Sequence, residues 1–192
     1  DLSLMRGYGV FDFLRTYNGI PFRVNDYLDR FYHSSKEMML TVPHTREKLI
    51  AILQEVLEKN NIGPGKDVGV RFLLTGGYSM DGYTVEVPNF FILIEDLPNY
   101  PAWQFENGIR LNLWQHQREL PLVKTINYLT AIKLSETRKK SDVQDTLYYQ
   151  NNKILECTRN NFFLFHGNTL VTADKNVLQG ISRKTVLELA SK

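Results

Sequence analysis

The sequence predicts an α+β chain in two domains, and three observations carry that reading. Apolar runs around a tight turn open the chain, two helical periods follow before further strands, and a stretch with two prolines precedes a strand-rich second half. At 192 residues, 43% hydrophobic and 23% charged, the chain can bury one large core or two small ones, which excludes intrinsic disorder.

Residues 10–14 and 20–23 flank Asn18-Gly19, a pair that accepts the left-handed geometry of a hairpin turn. From Asn25 the period becomes helical, with Tyr27, Leu28, Phe31, Met38 and Met39 on one face, Asn25 or Asp26 as cap, and Pro43 beyond the end. Thr45 caps a second helix whose stripe is Leu49, Ile50, Leu53, Val56 and Leu57, stopped by Gly63-Pro64-Gly65. Residues 68–74 and 90–94 read as strands joined through Gly76-Gly77. The boundaries follow: a small α+β domain over 1–96, a linker over 97–103, and the first part of a larger domain over 104–192.

In that larger domain residues 109–114 read as strand and 128–139 as helix. Two hairpins follow, turning at residues 150–152 and at Gly167-Asn168, and the last helix starts near Ser182. Both ends read as interior positions, so flanking segments are expected on each side.

Twenty-three Lys and Arg against twenty-one Asp and Glu leave a formal charge of +2, too balanced for binding nucleic acid or a membrane surface by Coulomb attraction. No apolar run approaches the ~20 residues that cross a bilayer, so a cytoplasmic location is expected. One cysteine, Cys157, and His33, His44, His116 and His166 without ligand spacing argue against a disulfide and against a metal site.

Lys124 lies between apolar neighbours, after Pro121 and before a helix. It is either a desolvated, nucleophilic amine or a lysine that reaches from a strand end to solvent. Glu156 follows an apolar strand and precedes polar turn residues, either facing a cavity or ending a solvated strand. Residues 178–183 place Gly180 before Ser182 at a helix start, where unpaired N–H groups suit a phosphate or merely begin a helix. Arg30, among aromatic neighbours, needs an anion, which Asp26, Asp29 or a phosphate could supply. Arg6 and Arg71 pose the same question.

Taken in order, Gly7-Tyr-Gly-Val-Phe11, the helix residues ending at Arg30, Lys124-Thr-Ile-Asn-Tyr128, Glu156-x-Thr158-x-x-Asn161-x-Phe163 and Leu178-x-Gly-Ile-Ser-Arg183 resemble the class IV aminotransferases. These are the fold-type IV enzymes dependent on pyridoxal 5'-phosphate, and the likeness is strongest to the D-amino-acid and branched-chain transaminases. The resemblance implies a small α/β domain and a strand-rich pseudo-barrel, a homodimer, and transfer of an amino group between an amino acid and a 2-oxo acid. It implies that Lys124 bonds to the cofactor aldehyde and shuttles the substrate proton, and that Glu156 faces the pyridine nitrogen. Arg30, Gly180, Ile181 and Ser182 would hold the phosphate, Tyr128 would stand near the phenolic oxygen, and Leu178 would pack on the ring. Thr158 and Asn161 complete the cofactor set.

Two departures bear on substrate. Arg6 stands where branched-chain enzymes usually carry tyrosine, and Arg71 lies on a strand expected to line the same pocket. Together they imply carboxylate recognition and a D-amino acid substrate. The threonine-bearing loop that the family has after this last helix lies past residue 192. Alternatives are an L-branched-chain transaminase, an aminodeoxychorismate lyase, and a non-catalytic binding module.

Overall fold

The computed structural model describes residues 1–192, which form two compact units. The first comprises Asp1–Asn99 together with Val123–Asn127, and the second Tyr100–Leu122 with Tyr128–Lys192. The lysine segment therefore folds with the first unit, although it lies well inside the stretch expected to be the larger domain.

The first unit runs α1 (Leu2–Arg6), β1 (Gly9–Tyr17), β2 (Ile20–Pro21), α2 (Val24–Glu37), α3 (Arg46–Lys59), β3 (Gly69–Tyr78) and β4 (Val87–Glu95). The strands form an antiparallel sheet in the order β2-β1-β3-β4, with Phe13 opposite Arg71 and Arg71 opposite Leu93. Alternation along each strand then sets the two faces. Val10, Asp12, Leu14, Val70, Phe72 and Leu74 are buried on one. Phe11, Phe13, Arg71, Leu73, Phe91 and Leu93 lie on the other, where Phe91 and Leu93 are exposed. The buried face meets Phe31 of α2, whose ring lies 5.8 Å from Phe72 and 6.1 Å from Phe90. Each fully buried leucine or phenylalanine in such a core contributes about 1.5–3 kcal/mol.

The helix stops and starts depart from the sequence reading at identifiable groups. The cap of α2 is Arg23, in the left-handed region at φ 48°, and Asp26 is engaged by the Arg23 guanidinium instead of capping. Met38 is buried, but Met39 turns out to solvent at φ 52° because the helix has ended at Glu37. Thr45 caps α3 as expected, its hydroxyl accepting from the Lys48 N–H at 3.3 Å, and the buried stripe is Leu49, Leu53 and Leu57. Strand β3 continues through Gly76-Gly77 rather than stopping there. Gly77, at φ 71°, forms a bulge against β4, and a Cβ on it would sit 1.8 Å from the Val87 carbonyl oxygen. The short α1 and the later α4 have too few residues to show a period and were not legible in the sequence.

The second unit runs α4 (Trp103–Glu106), β5 (Leu111–Gln115), α5 (Leu129–Lys140), β6 (Asp145–Gln150), β7 (Lys153–Cys157), β8 (Phe163–His166), β9 (Thr169–Thr172) and α6 (Ile181–Ala190). β5 and β6 are parallel, and β6 returns antiparallel into β7 through Asn151 and Asn152, both left-handed. β8 and β9 form a separate hairpin. Leu134, Tyr148, Leu155 and Val177 make the core beneath them. No helix is long and apolar enough to cross a membrane.

Candidate active site

In the first unit Lys124 is held by its backbone against the Gly9–Phe11 end of β1, beyond the short stretch at Thr16 and Tyr17 where β2 pairs. The Phe11 N–H donates to the Lys124 carbonyl at 3.0 Å, the Ile126 N–H to the Gly9 carbonyl at 3.1 Å, and the Lys124 N–H to Ser34 Oγ at 3.1 Å. Because Val10 pairs with Thr125, alternation sends the Lys124 side chain to the face that carries Phe11, and Nζ lies 4.5 Å from that ring's centre. Gly9 permits the approach. A Cβ there would come within 2.8 Å of the Leu74 carbonyl oxygen and 3.0 Å of Ile126 Cδ1.

Arg30 finds its anion on β1. Its Nε donates to Asp12 Oδ2 at 2.9 Å and its Nη2 to Oδ1 at 2.6 Å, while the Phe13 N–H also donates to Oδ1. The carboxylates on its own helix meet other arginines, Asp26 pairing with Arg23 and Asp29 with Arg46. Periodicity within one helix could not have revealed a partner eighteen residues away on a strand.

Arg71 lies on the open face, 4.8 Å from the Phe11 ring centre and 5.3 Å from that of Phe13, and both its Nε and Nη2 donate to Glu95. Those bonds hold the Glu95 carboxyl below its usual range. Arg6 is exposed at the end of α1, donating to the Gly82 carbonyl at 3.4 Å with its guanidinium 5.0 Å from the Tyr83 ring centre. The turn beneath it is tied by Asp81, which accepts from Ser79, Tyr83 and Thr84 and is held far below the usual carboxylate range by those bonds, Thr84 first.

In the second unit β7 delivers Glu156, 6% exposed, to a prepared cradle. Arg118 Nε donates to Oε1 at 3.0 Å, and the Leu178 N–H donates to Oε2 at 3.0 Å, with Asn161 Nδ2 3.4 Å from the same oxygen. Asn161 also donates to the Leu178 carbonyl at 2.8 Å, which ties the turn after β7 to the chain entering α6. Gly180, the cap of α6, lies so close that a Cβ would stand 2.1 Å from Asn161 Oδ1. Ile181 is buried and Ser182 exposed at the first turn, whose leading N–H groups have no partner within the helix.

Thr158 turns inward. Its hydroxyl donates to Asp145 Oδ1 at 2.6 Å, and Asn160 Nδ2 donates to Oδ2 at 3.3 Å, so Thr158 shapes the turn that carries Glu156 and Asn161. Cys157 is buried there, which pushes its thiol up to about 12, with Asp145 and Glu156 adding to the effect. Tyr128 caps α5 and is half-buried. Around Glu156, sequence reasoning missed Arg118 and Asp145. Arg118 sits in a polar run that reads as loop, and Asp145 in a strand end.

The donor chemistry of each unit suits pyridoxal phosphate. The first offers an amine on an aromatic face and a rigidly paired guanidinium. The second offers a buried carboxylate beside a helix start, an acceptor for a pyridinium N–H and donors for a phosphate.

The comparisons agree. A D-alanine aminotransferase from Listeria monocytogenes is 27% identical over 207 residues, covering 100% of this chain and 68% of the relative. The crystal structure of the Escherichia coli branched-chain amino acid aminotransferase matches with a TM-score of 0.86 at 23% identity, over 99% of this chain and 67% of that one. The pyridoxal-phosphate-bound form of a hypothetical aminotransferase from Mycobacterium tuberculosis matches with a TM-score of 0.82 at 18% identity, over 100% and 70%. Since the family profile for amino-transferase class IV spans residues 9–192, this chain belongs to the class IV aminotransferases, a family of pyridoxal-phosphate-dependent enzymes with the fold-type IV architecture.

Proposed function

We propose that this enzyme is a transaminase moving an amino group from a D-amino acid to a 2-oxo acid, with Lys124 as the catalytic residue. The observation that carries the reading is the three-bond backbone clamp on Lys124, which fixes the origin of its side chain above Phe11. Pyridoxal phosphate, when bound, supplies an aldehyde and an electron-accepting ring. Lys124 Nζ is the amine that would hold the cofactor aldehyde and, once freed by the substrate amine, would carry the proton taken from the substrate Cα. Glu156 holds negative charge against the pyridine nitrogen. Arg30, steadied by Asp12, and the N–H groups of Ile181 and Ser182 bind phosphate, with Gly180 giving close access. Tyr128 stands by the phenolic oxygen, Leu178 packs on the ring, and Thr158 and Asn161 keep Glu156 in register.

Arg6 and Arg71 orient the substrate carboxylate, which selects the face of Cα that loses its proton. The exposure of Arg6 supports the D-selective reading. A second reading, an L-branched-chain transaminase, is favoured by the neutralisation of Arg71 by Glu95 on a face otherwise made of Phe11, Phe13, Leu73, Phe91 and Leu93. The working form is a cytoplasmic homodimer in this proposal.

The deciding experiment is an absorbance spectrum with added pyridoxal phosphate, taken before and after borohydride and after D- and L-amino acids in turn. A visible band fixed onto Lys124 and bleached by D-alanine or D-glutamate is expected. Bleaching by L-leucine alone would assign the branched-chain activity, pyruvate release from aminodeoxychorismate without any acceptor would assign the lyase, and no band would end the enzymatic reading of Lys124.

A further inference from the structure

The Glu156 carboxylate offers about four acceptor positions on its two oxygens. Three are engaged: Oε1 by Arg118, Oε2 by the Leu178 N–H and by Asn161. Two of these donors are neutral amides; Arg118 alone brings charge. The Glu156 side chain is 8% exposed and that of Arg118 22%, so the pair is shielded from the solvent that weakens surface ion pairs. Arg118 is itself tied down, because its Nη2 donates to the Pro121 carbonyl. The next residues on the same strand exit are ordered too: the His116 N–H donates to the Tyr149 carbonyl at 3.0 Å and its ring stands 4.9 Å from that of Tyr148.

We propose that Arg118 is a positioning residue acting through Glu156: its guanidinium fixes the carboxylate plane so that the remaining acceptor position is held ready for the pyridine N–H of the cofactor. The inference rests on the assignment of Glu156 to the pyridine nitrogen. Without Arg118 the carboxylate keeps only neutral donors, all on Oε2, and is free to turn about that side. A bond made to a preset acceptor avoids the ordering cost that a mobile one incurs, so the loss appears as weaker cofactor binding specific to the ring nitrogen.

The test compares two ligands on the cofactor-free protein by absorbance or fluorescence titration: pyridoxal phosphate, and its carbocyclic analogue in which the ring nitrogen is replaced by CH. The native protein prefers pyridoxal phosphate. Arg118→Gln weakens pyridoxal phosphate by about tenfold, the span of one charge-assisted hydrogen bond, and the analogue by less than about twofold. Arg118→Lys, which keeps the charge but not the fork, loses part of the preference, and it carries the test alone if the glutamine variant does not fold. In a Glu156→Gln background the Arg118 substitution adds nothing further. Equal weakening of both ligands would overturn the proposal, because a purely structural role predicts it. Absence of any preference in the native protein would instead refute the assignment of Glu156, on which the proposal stands.

Discussion

Arg30 of α2 and Asp12 of β1 form a two-bond ion pair in which the guanidinium side chain is 10% exposed and the carboxylate 0%. Removing one member leaves a buried charge without its partner, a loss of about 3–5 kcal/mol in comparable pairs. Asp12→Ala is therefore expected to destabilise the protein by that order, and chemical denaturation measures it. Asp12→Ala combined with Arg30→Met should recover much of the loss, since no charge is then stranded.

Lys124→Ala keeps the backbone clamp, which uses only main-chain atoms and Ser34 Oγ. The variant should fold with a native circular dichroism spectrum, bind pyridoxal phosphate noncovalently, and show no label after borohydride and no turnover. Retained turnover in it would remove Lys124 from the chemistry.

Gly180→Ala drives a methyl into Asn161 Oδ1. The bond from Asn161 to Leu178 should be lost with it, at about 1 kcal/mol or more, and the α6 entry displaced. Phosphate binding then falls together with stability, which calorimetry with inorganic phosphate detects. Asn161→Ala should relieve the clash and restore the stability of the Gly180→Ala variant relative to its own background.

Glu95 is held below the ordinary glutamate range, first by its hydrogen bonds from Arg71. A depressed folded value means that the pair stabilises the protein above about 4.5 and that this contribution is lost as the pH falls through the lower folded value. The stability gap between the native protein and Arg71→Met should accordingly be widest at neutral pH and close in acid. The Glu95 side chain is 33% exposed, so solvent screens the pair and the gap is modest. Denaturation midpoints from pH 3 to about 7 trace it.

Arg6→Leu removes a guanidinium from the exposed end of α1, away from any buried core. Stability should change by less than about 0.5 kcal/mol. The ratio of kcat/KM for D-alanine to that for L-leucine should drop about tenfold, as expected for the loss of one charged contact. An unchanged ratio would detach Arg6 from stereochemical choice.

Much of this architecture is written in local pattern. The Asn18-Gly19 turn, the Leu49-Leu53-Leu57 stripe and the two later hairpins were readable because each is decided by residues within one turn or one pairing of strands. What stayed hidden depends on residues far apart in the chain. Asp12 meets Arg30 across eighteen positions, Arg118 meets Glu156 across thirty-eight, and Arg71 meets Glu95 across twenty-four. An arginine's charge is visible in a sequence, but the carboxylate that occupies it is a product of topology. The same reason applies to the units: the chain leaves the first after Asn99, and the prolines at 98 and 101 give no sign that residues 123–127 return.

That return has a consequence for how the protein can be taken apart. The polypeptide passes between the units three times, after Asn99, after Leu122 and after Asn127. A single cut at the proline-rich stretch breaks the polypeptide between Asp1–Asn99 and the remainder, but the docked Lys124 segment still holds the two pieces together through its hydrogen bonds to β1. A fragment ending at Asn99 would expose the β1 edge that Lys124 and Ile126 normally cover, an open ladder of the kind that recruits other chains. The Lys124 segment is thus also a seal, and no contiguous stretch of this sequence reproduces the first unit in full.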